Sequence, residues 1–148
     1  MFNPSQQDVR RFFCAVHAKR KQGLPLSPLE DLAASWLIEH PEFDEVLGDE
    51  QSALERRFDG SDGRTNPFLH LSMHLAISEQ VSIDQPPGIG HHFDRLMVRF
   101  GSRHEAAHQV MECLGEILWN AERSGGAPDG EAYLECLARR SSPVAPGR

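Results

Sequence analysis

Histidines recur at a spacing that suits chemistry. His70 and His74 stand four residues apart in Asn66-Pro67-Phe68-Leu69-His70-Leu71-Ser72-Met73-His74, and His104 and His108 repeat the interval. On a helix, residues i and i+4 share a face, with Cβ atoms about 5–6 Å apart. Two imidazoles so placed can bind one metal ion or share a polar pocket. Four of the chain's 8 histidines lie in these pairs. A fifth, His40, precedes Pro41-Glu42-Phe43-Asp44, which puts carboxylates close by.

Whether these rings face inward depends on the helices that carry them, and capping signals mark those helices. Ser5 with Asp8 opens a first helix running to about Lys21, before Gly23. Ser27-Pro28-Leu29-Glu30 opens a second, to about Glu39, where Pro41 disfavours helical geometry at His40. Pro41 can start a short helix over Glu42 to Leu47, and Asp49 to Phe58 reads as another turn or two. Asp59 to Gly63 reads as a loop. Asn66-Pro67 caps a central helix to about Asp84, stopped by Gln85-Pro86-Pro87-Gly88. Helices follow from about Ile89 to Phe100, from Ser102 to about Arg123, and from Asp129 to near Arg140. No segment alternates like a strand. The expectation is an all-α, compact bundle of about five to seven helices, one domain over 1–140 with a disordered tail over 141–148.

At about 100° per residue, Phe68, Leu71, Leu75, Ile77 and Val81 mark an apolar face that includes His70 and His74, which are predicted to be buried. On the second helix Leu29, Leu32, Ala33 and Trp36 form the inner face, and His40 continues it. On the long helix the stripe is Ala107, Val110, Met111, Leu114, Leu118 and Ala121. His104, His108 and Glu112 form a row beside it. A buried neutral imidazole must satisfy one donor and one acceptor nitrogen. A metal ion would serve several at once, and a carboxylate or backbone carbonyl is the alternative partner.

The candidate ligands are therefore His40, His70, His74 and His108, with His104 or Glu112 completing or supporting the set. Imidazoles with a carboxylate suit zinc, iron, nickel or copper, and the sequence does not choose among them. An ion with an open position would activate water, with Glu112 or Glu42 as proton acceptor. The other reading is a non-catalytic interaction or regulatory module whose histidines are hydrogen-bonded core residues. Enzymatic activity stays open. His17, near basic residues, is expected on the surface, and His91 and His92 in a loop or first turn.

Composition narrows the classes. The net charge of −7 argues against nonspecific nucleic-acid binding. No apolar run reaches the roughly 18 residues of a membrane span. The N-terminal residues lack the pattern of a secretory signal, so a cytoplasmic location is expected. Cys14, Cys113 and Cys136 lie far apart in apolar patterns and are expected to be buried, reduced thiols. Residues 1–23 carry Arg10, Arg11, Lys19, Arg20 and Lys21 against Asp8, whereas 24–60 carry ten acids against Arg56 and Arg57. The basic first helix is either a solvated face or a surface for an acidic protein partner. A homodimer is compatible with either functional reading. There is no HExxH helix, paired ExxH, P-loop or GxSxG elbow.

Arg64 to Ile77, Asp84 to Ile89, Glu39 to Phe43, His104 to His108 and Met111 to Glu116 together resemble a bacterial family catalogued as domain of unknown function 1841. The resemblance spans Met1 to about Arg140 and implies a small cytoplasmic bacterial protein with no established activity. It also implies that a histidine can stand at the position of Asp44. The arrangement is similar in logic to hemerythrin-like and DinB-like bundles, which hold metals between helices with histidines, although the spacing matches neither.

Overall fold

A computed structural model describes residues 5–58 and 66–142. The described chain is all-α: α1 (Gln6–Gln22), α2 (Pro28–Ile38), a 3-10 turn (Pro41–Phe43), α3 (Asp44–Leu47), α4 (Glu50–Glu55), α5 (Pro67–Ile83), α6 (Ile89–Phe100), α7 (Arg103–Ser124) and α8 (Gly130–Ser141). The 59–63 loop and residues 143–148 of the tail lie outside the described residues. No described helix is long and apolar enough to cross a membrane.

The caps read from sequence do the work expected of them. Ser5 and Ser27 each accept from the backbone N–H three residues on, while Asp8 and Glu30 return a carboxylate to the cap's own N–H. Asn66 Oδ1 accepts from the N–H groups of Phe68 and Leu69, and Asp129 from those of Glu131 and Ala132. At the far end of α1, Gly23 takes φ 70°, left-handed geometry that a side chain would strain.

The chain falls into two compact units that meet between Leu75 and Ala76, inside α5. In the first, α1 packs against α2, α3 and α4. Its core includes Phe13, Val16, Trp36, Leu37, Leu47, Phe68 and Leu71. Buried among them is Arg10, which donates from one guanidinium nitrogen to the carbonyls of Ala53 (2.8 Å) and Arg56 (2.7 Å). Those carbonyls end α4, which at six residues leaves most of its acceptors without intrahelical donors. The guanidinium also lies over the Phe58 and Phe68 rings. Much of the remaining basic charge of α1 is answered within the unit: Lys19 reaches Glu30 at 2.7 Å, and Arg20 lies 3.9 Å from Asp44.

The second unit holds the end of α5 and α6, α7 and α8, the last three packed against one another. Tyr133 of α8 donates its hydroxyl to Gln80 Oε1 of α5. Cys113 of α7 and Cys136 of α8 are joined by a disulfide, which corrects the expectation of reduced thiols. Helix packing brought together two cysteines that lie 23 residues apart, a pairing no local pattern announces. Cys14 is free and buried, and burial raises its thiol to a pKa of about 11. Two helix faces are also rotated from expectation. Leu29 and Leu118 are exposed, and Leu37 and Ile117 are buried instead.

Replacing Arg10 by Met keeps much of the aliphatic stem but leaves two carbonyls without their donor, a loss of about 1–3 kcal/mol per stranded group. The urea midpoint of Arg10→Met should therefore fall well below wild type. An unchanged midpoint would show that the guanidinium does not hold α4.

Candidate metal centre

In the first unit, His40, His70 and His74 converge. Their Nε2 atoms form a nearly equilateral triangle: 3.1 Å from His40 to His74, 3.3 Å from His40 to His70 and 3.2 Å from His70 to His74. Each vertex has its own local cause. The i, i+4 spacing on α5 aligns His70 and His74. His40 sits where α2 has ended and, ahead of Pro41, turns the chain at its own backbone angles of φ −128° and ψ 61°. That turn aims its ring back towards α5. His74 is fully buried, His40 is 2% exposed and His70 is half-buried.

Aromatic plates fix the ring planes. Trp36 stacks on His74 with centroids 3.9 Å apart and planes 13° apart. Phe43 lies nearly parallel to His40 at 5.2 Å and edge-on to His70 at 5.7 Å. The sequence reading placed Trp36 on an inner face but missed both stacking roles. The clue available was an aromatic four residues before His40 and another three after it.

On the outer side of His40, Nδ1 donates to Glu42 Oε2 at 2.8 Å. Partial burial pushes the Glu42 carboxyl up, but the His40 hydrogen bond, a backbone N–H and nearby imidazole charge bring it below the ordinary carboxylate value.

Neutral imidazoles alone cannot satisfy this triangle. A ring nitrogen is either an N–H donor or a lone-pair acceptor, never both. Three mutually adjacent nitrogens therefore leave at least one edge donor-to-donor or acceptor-to-acceptor. A cation accepting all three lone pairs removes the conflict. The distances agree: ligands about 2.0–2.1 Å from a metal lie about 2.8–3.0 Å apart at right angles and about 3.3–3.4 Å apart at the tetrahedral angle. The observed edges fall within and between those values.

The family assignment can be placed beside this geometry. The family model described as "Domain of unknown function (DUF1841)" matches residues 5–139. The chain belongs to this family. For this DUF1841 protein, searches of curated proteins and of solved structures found no match.

The other predicted site residues of the DUF1841 chain lie on α7, in the second unit. His104 and His108 are half-buried, with ring centroids 4.3 Å apart. Glu112 is exposed and its carboxylate is taken by Arg140 of α8, an engagement the row along α7 did not reveal. His91 and His92 occupy the first turn of α6, as expected.

His17 overturns the surface expectation, being only 6% exposed. It is enclosed because α3 folds over α1 and brings Asp44 to 3.9 Å from Nδ1, beyond hydrogen-bond length. Burial lowers the His17 pKa most, with Arg20 and Lys21 adding to the effect and Asp44 opposing it. A folded pKa below the ordinary 6.5 means the neutral ring is the stabilised form. Its contribution is complete above pH 6.5 and is lost as pH falls from there towards the folded value. Unfolding measured at pH 7.5 and 5.5 should show a smaller loss of stability on acidification in His17→Asn than in wild type. Equal losses would contradict this assignment.

Proposed function

We propose that this protein binds one first-row transition-metal ion through His40, His70 and His74 of the first unit. The observation that carries the reading is the triangle of three Nε2 atoms 3.1–3.3 Å apart, which neutral rings cannot pair without a donor-to-donor or acceptor-to-acceptor edge. An all-nitrogen set selects zinc, iron, nickel or copper over calcium and magnesium. Glu112, engaged by Arg140, is left out of it.

Three imidazoles leave a tetrahedral zinc one position, and iron or nickel of higher coordination number more than one, for water or a small molecule. That is the arrangement metal-dependent catalysis needs.

Metal analysis of protein purified without a histidine tag tests the reading. About one equivalent of a single transition metal is expected, lost in the His70→Ala, His74→Ala double variant. A folded wild-type protein that neither carries metal nor takes it up on reloading would overturn it. The histidines would then belong to the hydrogen-bonded core of an interaction module.

A further inference from the structure

His40 has a carboxylate on its outer nitrogen, supplied from two residues further along the same turn. We propose that Glu42 is a positioning residue that locks His40 in one tautomer, an inference that rests on the metal-binding reading above.

An ionised carboxylate only accepts hydrogen bonds, so at 2.8 Å from Glu42 Oε2 the Nδ1 of His40 must carry the proton. A neutral ring has one such proton. Nε2 is thereby left with its lone pair facing the Nε2 atoms of His70 and His74, at 3.3 and 3.1 Å. The carboxylate also draws the Nδ1 proton towards itself, which raises electron density at Nε2 and makes it a better ligand.

The local chain is built to hold this pair. Pro41 fixes the turn, the 3-10 geometry over Pro41–Phe43 folds Glu42 back, and Phe43 lies parallel to the His40 ring. The Glu42 side chain is 58% exposed while that of His40 is 3% exposed. The carboxylate thus bridges a buried ligand and solvent, and removing it opens no hole in the core.

Zinc affinity of the full untagged chain, measured by competition with a chromophoric chelator, tests this directly. Glu42→Gln should bind zinc about 10–100-fold more weakly than wild type, the range typical of lost hydrogen-bond support to a ligand. The melting temperatures of the two metal-free proteins should agree, because the side chain is largely solvated. Affinity equal to wild type would overturn the proposal. A second readout needs no metal. Imidazole nitrogen shifts by NMR should show His40 of the metal-free wild type protonated at Nδ1, and Glu42→Ala should lose that preference. Protonation at Nε2 in wild type would overturn the proposal equally. Should wild type take up neither zinc nor iron, nickel or copper, the metal-binding reading fails, and the tautomer measurement still decides the role of Glu42.

Discussion

Three imidazole nitrogens within 3.3 Å of one another set the terms for the first unit. An odd ring of sites that are each donor or acceptor cannot be paired off. The conflict is placed where it is costly, because two of the three rings are buried. The surroundings hold the rings in place rather than relieving the conflict. Trp36 and Phe43 fix ring planes, and Pro41 turns His40 inward. A cation is the simplest partner that satisfies all three nitrogens at once.

The rest of the first unit can be read as support for that arrangement. α1 is the element around which α2, α3 and α4 gather, and buried Arg10 secures the end of α4. The contrast between a basic first helix and an acidic 24–60 segment, which in sequence suggests an outside partner, is answered in part internally. Lys19 meets Glu30, and Arg20 and His17 approach Asp44. Charge patterning along the chain here reflects which segments pack together.

Features governed by neighbours in sequence were legible. Ser5, Ser27, Asn66, Ser102 and Asp129 mark helix starts because a cap is a contact over two or three residues. The pairing of His70 with His74 follows from helix geometry, and the placement of His40 from Pro41. Features that depend on which helices meet were not legible. The burial of His17 depends on α3 folding over α1. The Cys113–Cys136 bond depends on the packing of α7 against α8. The capture of Glu112 by Arg140 depends on those same two helices. Leu29 and Leu118 show a second limit: a helical wheel gives a face only to within a few tens of degrees, enough to exchange a residue for its neighbour.

X-ray absorption at the edge of the bound metal tests the central claim most directly. The account predicts a first shell of nitrogen or oxygen at about 2.0–2.1 Å, with the outer-shell scattering of at least three imidazoles. A shell without imidazole scattering, or one containing sulfur at about 2.3 Å, would contradict it.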